Sequence, residues 1–145
     1  MTRATEVLHR GVQDLVAARP TVGKPVVTGF SQGGMLSFAL AAGYGDTFSA
    51  AVPVSGWLPP PLWPDANTAS AVPPIFALHG TADPAVKYPP TVTCVEHLRG
   101  LGVDAHLETY PDVRHVITRA MRATLHEQLV KALKAQSLSP APPLP

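Results

Sequence analysis

The sequence Gly29-Phe30-Ser31-Gln32-Gly33-Gly34 contains the pattern G-x-S-x-G. It follows a short β-branched run, residues 25–30, that is typical of a buried strand, and it opens an apolar segment, residues 33–43, that is typical of a buried helix. A serine at such a sharp strand-to-helix turn projects its hydroxyl above the sheet, and small neighbours let the backbone pass. The pattern predicts Ser31 as a nucleophile, with the Gln32 amide directed at a developing oxyanion. A glycine-rich turn needed only for close packing is the alternative.

The flanking sequence alternates between helical and strand patterns. Apolar residues recur at helical spacing in residues 3–18, 91–101 and 117–134, whereas the short apolar runs 50–54 and 75–78 favour inner parallel strands. Residues 103–110 alternate apolar and polar side chains, which indicates an edge strand with one wet face. Pro53 lies inside one predicted inner strand, although proline lacks the ladder N–H donor. The order predicts an α/β three-layer sandwich around a mostly parallel sheet of about four strands.

A nucleophilic serine needs a base, and the base needs an orienting carboxylate. Asp83 follows the strand pattern 75–78, and His115 follows the strand pattern 103–110. Because the carboxyl ends of parallel strands share one edge of the sheet, we expect both side chains near Ser31. Asp112 is an alternative acid, three residues before His115. A turn-capping Asp83 and a surface His115 are the structural alternatives.

The other histidines and the cysteine favour structural roles. His79 ends an inner strand and is predicted to be a hydrogen-bonded structural histidine. Cys94 lies within a predicted helix, where a packed and inert thiol is expected. The sequence contains no metal-ligand spacing, so we expect neither a metal nor a cofactor. The remaining histidines fall on predicted solvated faces: His9, His97, His106 and His126.

Composition narrows the class of protein. The chain has 145 residues, 46% of them hydrophobic, which is enough to bury a core. Its 11 basic and 10 acidic residues leave a net charge of +1, so nucleic acid is not an expected partner. One cysteine allows no internal disulfide, and no apolar run suits a membrane span or a signal core, which predicts a cytoplasmic protein. The 17 prolines concentrate in residues 53–74, a predicted loop, and in a predicted flexible tail, residues 137–145, that follows a single domain of residues 1–136.

Four motifs in order resemble the phospholipase/carboxylesterase branch of the α/β-hydrolases, the acyl-protein-thioesterase-like serine esterases. They are the segment from Gly29 to Gly34, then Ser55-Gly56-Trp57-Leu58-Pro59, then His79-Gly80-Thr81-Ala82-Asp83-Pro84, and finally His115. The resemblance spans about residues 3 to 134. It implies an α/β-hydrolase fold, Ser31 as nucleophile with Asp83 and His115 as its partners, and the Trp57-Leu58 loop beside the acyl site. Arg114 departs from the pattern, because the family usually has glycine before the histidine.

Family members are longer and begin with several strands ahead of the helix that precedes the nucleophile strand, whereas this sequence begins at that helix. We therefore expect the C-terminal part of the fold, without the early loop that supplies a second oxyanion amide. We also expect residues 26–28 to form an exposed edge strand through which the chain forms a homo-oligomer. A small natural esterase, a fragment of a longer enzyme and a protein of degraded function all fit this sequence.

The sequence thus predicts a serine carboxylesterase that hydrolyses short-chain acyl esters through an acyl-enzyme. A non-catalytic binding module that keeps the fold is the alternative function. The proline-rich loop offers candidates for an apolar substrate wall, with ordinary packing onto the core as the alternative: Trp57, Leu58, Leu62 and Trp63.

Overall fold

The computed structural model describes residues 1–19 and 21–137, and a parallel four-stranded sheet forms its centre. The strands are β1 (Val26–Phe30), β2 (Ala50–Val54), β3 (Ile75–Gly80) and β4 (Ala105–Tyr110), and they lie side by side in chain order. The helices are α1 (Thr2–Ala18), α2 (Gln32–Gly43), α3 (Tyr88–Gly100) and α4 (Arg119–Ser137). The predicted α/β architecture and the edge position of β4 are confirmed. The predicted tail lies outside the described residues except for Ser137, which ends α4.

Two apolar clusters cover opposite faces of the sheet and make the three layers. One lies beneath α2 and α3 and includes Phe38, Ala51, Ile75, Ala77, Val95 and Leu98. The other lies beneath α4 and is formed by Val52, Val54, Leu78 and Met121, with Phe30, Ile117, Leu125 and Leu129 packed against it. Because successive strand residues point to opposite faces, the apolar runs of β2 and β3 fill both clusters at once.

Pro53 is fully buried in the inner strand β2. The sheet accommodates this proline and loses one ladder hydrogen bond. The Ala51 N–H donates to the Pro74 carbonyl at 2.9 Å, and the Ser55 N–H donates to the Leu78 carbonyl at 2.8 Å. Position 53 lies between them and has no N–H to direct at β3. The two flanking bonds therefore maintain the pairing of β2 with β3 across the proline.

The helix α1 forms as the periodicity predicts, but most of its apolar side chains remain exposed. Val7 is 55% exposed and Leu15 is 63% exposed, and Thr5 is the buried residue of this helix. His9 stacks on Tyr44 with ring centroids 4.0 Å apart. Among the residues that the structure describes, no helix is both long and apolar enough to cross a membrane.

Two histidines expected on solvated faces are instead half-buried. His9 bonds the Thr47 hydroxyl through Nε2 at 2.8 Å. His97 stacks on Trp63 with ring centroids 4.2 Å apart. The prediction was wrong for both because aromatic partners from distant segments cover these helix faces, which helical spacing alone does not reveal.

Candidate active site

Ser31 occupies a strained turn between β1 and α2. Its backbone has φ 58° and ψ −117°, a conformation that side-chain-bearing residues adopt at a cost. The Ser31 N–H donates to the Val54 carbonyl at 3.0 Å, and the Ser31 carbonyl accepts the Met35 N–H at 3.0 Å. These two bonds hold the turn between the end of β2 and the first turn of α2.

Close packing around the turn requires glycine at positions 29 and 34. A Cβ at Gly29 would lie 2.5 Å from backbone atoms of Gly33, and one at Gly34 would lie 2.4 Å from the Val54 carbonyl oxygen. A Cβ at Gly33 would meet nothing within 4 Å. The second glycine of the G-x-S-x-G pattern is therefore not sterically required, and the following glycine is.

Three side chains from three loops form one continuous chain of hydrogen bonds. The Ser31 hydroxyl lies 2.9 Å from His115 Nε2, and His115 Nδ1 lies 2.7 Å from Asp83 Oδ2. The Ser31 hydroxyl is 84 positions from His115 in the sequence. The structure thus brings together the three residues singled out in the sequence, all at the carboxyl ends of the strands.

Asp83 is held in its ionised form by three hydrogen-bond partners. Its side chain has no exposed surface. Burial by itself raises the pKa of Asp83, but the bonds from His115 and from the backbone N–H groups of Val86 and Ala85 outweigh it and leave the pKa below its usual value. Both N–H groups donate to Asp83 Oδ1 at 2.9 Å. A buried carboxylate with this support can orient an imidazole and stabilise its positive charge.

An aromatic ring packs against one face of the His115 imidazole. Phe30 stacks on the imidazole with ring centroids 4.6 Å apart, and the His115 side chain is 23% exposed. Phe30 is anchored in the cluster beneath α4. Sequence spacing does not predict this contact, although the aromatic residue directly before the serine was the available signal.

The alternative acid and the unusual Arg114 both lie on the surface. Asp112 is exposed with φ 58°, and its N–H donates to the Thr81 hydroxyl at 3.0 Å. His115 Nδ1 is bonded to Asp83 instead. Arg114 is exposed beside His115.

The backbone N–H that the sequence predicts as the oxyanion donor, that of Gln32, lies at the amino end of α2. Gln32 is the first residue of α2, and the first intrahelical N–H bond is that of Met35. The earlier N–H groups of a helix have no intrahelical acceptor, and they carry the positive end of its dipole.

Not all of the side chains predicted to form the substrate wall have exposed surface that a substrate could contact. Leu58 has 0% exposure and belongs to the core beneath α2 and α3. Leu62 and Trp63 are half-buried against the same cluster, and Trp63 Nε1 donates to the Leu58 carbonyl at 2.7 Å. Packing of the loop onto the core accounts for Leu58 and for the covered faces of Leu62 and Trp63. Trp57 is half-buried and directly follows Gly56.

A cavity of about 510 Å³ lies at the opposite end of the sheet from Ser31. It opens beneath the last turns of α4, at the amino ends of the inner strands, and its lining includes Ala50, Ile75, Asp104, Lys131 and Gln136. No residue of the hydrogen-bond chain lines it.

Two other sequence predictions concern buried groups. Cys94 is fully buried, and burial raises the pKa of its thiol to about 11. This value is that of an inert thiol. His79 has 0% exposure and is hydrogen-bonded on both ring nitrogens.

Two plant proteins similar to this chain are named as carboxylesterases. A protein of Oryza sativa subsp. japonica named as a probable carboxylesterase is 29% identical over 139 residues, which are 92% of this chain and 51% of that protein. Carboxylesterase SOBER1 of Arabidopsis thaliana is 24% identical over 136 residues, which are 92% of this chain and 60% of that protein. The chain therefore spans about half to three fifths of the length of these relatives.

Solved structures show the fold of this chain, and a family profile shows its family. The crystal structure of Arabidopsis thaliana SOBER1 matches with a TM-score of 0.76 at 24% identity, covering 91% of this chain and 64% of that one. Zea mays acyl-protein thioesterase 2 matches with a TM-score of 0.75 at 22% identity, covering 91% and 66%. These matches confirm the α/β-hydrolase fold. The Phospholipase/Carboxylesterase profile matches residues 1–133, and the chain belongs to that family.

Proposed function

We propose that this chain carries the nucleophile, base and acid of a serine carboxylesterase. The observation that carries the proposal is the unbroken chain of hydrogen bonds from the Ser31 hydroxyl through His115 to buried Asp83, at 2.9 Å and 2.7 Å. Both distances are those of a serine activated by an oriented base. Membership of the Phospholipase/Carboxylesterase family supports the reaction class.

The reaction proceeds by two acyl transfers. His115 Nε2 accepts the hydroxyl proton as Ser31 Oγ attacks the ester carbonyl, while Asp83 holds His115 Nδ1–H and stabilises the imidazolium. The Gln32 N–H and the amino end of α2 stabilise the oxyanion. His115 then protonates the departing alkoxide, and water attacks the acyl-enzyme by the same sequence to release acid and free Ser31.

The proposed substrates are short-chain, uncharged acyl esters. The net charge of +1 provides no strong field for a highly charged substrate. Trp57 is the best candidate for the acyl wall, because it follows Gly56, whose backbone packs against Gly34 and Met35 at the start of α2.

Hydrolysis of p-nitrophenyl acetate by the wild-type chain and by Ser31→Ala tests the proposal. We expect kcat to fall by about 10⁴-fold or more, because the nucleophile is lost. Ser70→Ala removes an exposed serine from the turn Ala69–Ala71 and should leave the rate unchanged. Equal rates in wild type and Ser31→Ala would refute the mechanism.

A non-catalytic binding module is the second candidate, and covalent labelling separates the two. A fluorophosphonate reacts when an activated serine displaces its fluoride, whereas a pocket without an activated serine does not react. Labelling of the wild-type chain at Ser31 supports the esterase, and its absence in folded protein supports the binding module.

We further propose that β1 pairs with a second copy of the chain. β1 is an edge strand of the described sheet. The Ser31 N–H donates to the Val54 carbonyl of β2. Because the backbone N–H groups of successive residues point alternately to the two sides of a strand, the Thr28 N–H points away from β2. Thr28→Pro removes that free donor and should convert a dimer to a monomer by light scattering. A monomeric wild type would refute this pairing.

The cytoplasmic location expected from the sequence stays a prediction.

A further inference from the structure

The pair His79 and Thr91 lies buried behind the loop that carries Asp83, and both side chains have 0% exposure. We propose that this pair positions Asp83 relative to Ser31, so that both are positioning residues for the acyl transfer. The proposal rests on the function proposed above. It gives a positioning role to two polar side chains that do not touch the reacting atoms.

His79 and Asp83 are both hydrogen-bonded to the backbone of Val86. Its Nε2 lies 2.9 Å from the Val86 carbonyl, while the Val86 N–H donates to Asp83 Oδ1 at 2.9 Å. His79 Nε2 also lies 3.6 Å from Asp83 Oδ2. A shift of the Val86 peptide would therefore move the carboxylate that orients His115.

Thr91 connects this segment to the turn that carries Ser31. Its hydroxyl lies 2.8 Å from His79 Nδ1 and donates to the Gly56 carbonyl at 2.9 Å. A Cβ on Gly56 would lie 2.5 Å from Gly34 C and from Met35 N, so the Gly56 backbone rests directly on the start of α2. The contacts thus run from Asp83 through His79 and Thr91 to the helix that follows Ser31.

Counting protons shows why a hydroxyl is needed at position 91. Burial favours neutral His79, and its pKa lies below the usual value. The Val86 carbonyl can only accept, which assigns the ring proton to Nε2 and leaves Nδ1 as an acceptor. Thr91 then has one proton to share between Nδ1 and the Gly56 carbonyl. Serine preserves this donor, whereas valine leaves two buried acceptors without it.

Small displacements at this point are expected to matter for the reaction. Ser31, Asp83 and His115 follow three different strands, so their mutual geometry depends on contacts between loops. A misplacement of about 1 Å can slow catalysis about 100-fold.

The experiment compares two Val/Thr exchanges on α3. Thr91→Val removes the hydroxyl and keeps the shape, and Val95→Thr adds a hydroxyl at a residue that is 1% exposed and one turn away. Both variants alter buried polarity, but of the two residues only Thr91 is hydrogen-bonded to His79. Thr91→Ser is the conservative variant that restores the donor, and Thr91→Ala repeats the removal if the valine variant does not fold.

Two readouts are measured for each folded variant: the rate of fluorophosphonate labelling, and the low-field proton NMR signal of the His115 Nδ1–H bonded to Asp83. We expect Thr91→Val to slow labelling by about 10-fold to 100-fold and to shift or broaden the signal. Val95→Thr and Thr91→Ser should retain both. Urea unfolding of every variant measures the loss of stability separately.

The two proposals fail in different ways. Absence of labelling in the wild type overturns the proposed esterase, while the NMR signal still tests the positioning. Wild-type labelling and an unchanged signal in Thr91→Val overturn the positioning and leave the esterase intact. Equal losses in Thr91→Val and Val95→Thr also overturn it, because they reduce the effect to general destabilisation.

Discussion

Replacing Gly34 with alanine should destabilise the chain, whereas replacing its neighbour Gly33 should stabilise it. A Cβ at position 34 would lie 2.4 Å from the Val54 carbonyl oxygen and 3.1 Å from its carbon. A Cβ at position 33 would meet nothing within 4 Å. Both positions lie in the first turn of α2, so the comparison isolates the packing difference.

The magnitude follows from how little the neighbour can move. An ordinary contact needs a separation of about 3.4 Å or more, so the new Cβ and the Val54 oxygen must separate by about 1 Å. Val54 is 1% exposed, and its carbonyl accepts the Ser31 N–H at 3.0 Å. Overpacking of this kind costs about 1–3 kcal/mol, against a helix-propensity gain of up to about 1 kcal/mol. Gly34→Ala should therefore lose up to about 2 kcal/mol, and Gly33→Ala should gain about 0.5–1 kcal/mol.

Urea unfolding followed by circular dichroism measures both changes in the free energy of unfolding. Gly34→Ala should also slow labelling of Ser31 by a fluorophosphonate, because the forced shift acts on the acceptor of the Ser31 N–H. Changes of the same sign and similar size in the two variants would refute the steric argument, since it assigns the clash to position 34 alone.

Three further predictions concern single buried groups. The pKa of Asp83 lies below its usual value of 3.8, so ionised Asp83 stabilises the fold above about pH 4 and that contribution is lost as the pH falls further; urea unfolding of wild type should show a loss of stability below about pH 4 that Asp83→Asn lacks. Cys94, buried with a pKa of about 11, should react with a disulfide reagent at pH 8 only after unfolding, and rapid reaction of folded protein would contradict its burial. Leu58→Ala should cost about 2–5 kcal/mol of stability and leave KM for p-nitrophenyl acetate unchanged, whereas a raised KM in stable protein would restore Leu58 to the substrate wall.

Periodicity and strand-to-helix order were enough to predict most of the architecture. The alternation in residues 103–110 identified β4 and its edge position, because a strand with one wet face leaves that pattern in the sequence. The expected proximity of Ser31, Asp83 and His115 followed from the rule that parallel strands bring their carboxyl ends to one edge. These inferences needed only local patterns and a topology rule.

Contacts that depend on side-chain packing could not be predicted in this way. The bond from Thr91 to the Gly56 carbonyl joins residues 35 positions apart, and no local pattern pairs the two. The stacking of Phe30 on His115 likewise joins residues far apart in the sequence, so no local pattern predicts it. α3 begins at Tyr88, so Pro89 and Pro90 lie in its first turn, which proline fits.

Backbone strain marks the same edge of the sheet as the hydrogen-bond chain. Among the described residues other than glycine, positive φ occurs at Ser31, Ser55 and Asp112, which follow β1, β2 and β4. Ser55 also buries a hydroxyl that has no hydrogen-bond partner in the described part of the chain. Each such conformation costs about 1–3 kcal/mol in a residue other than glycine. Backbone conformation alone would therefore favour glycine at position 31, and the presence of serine there supports the proposed role of Ser31 as the nucleophile.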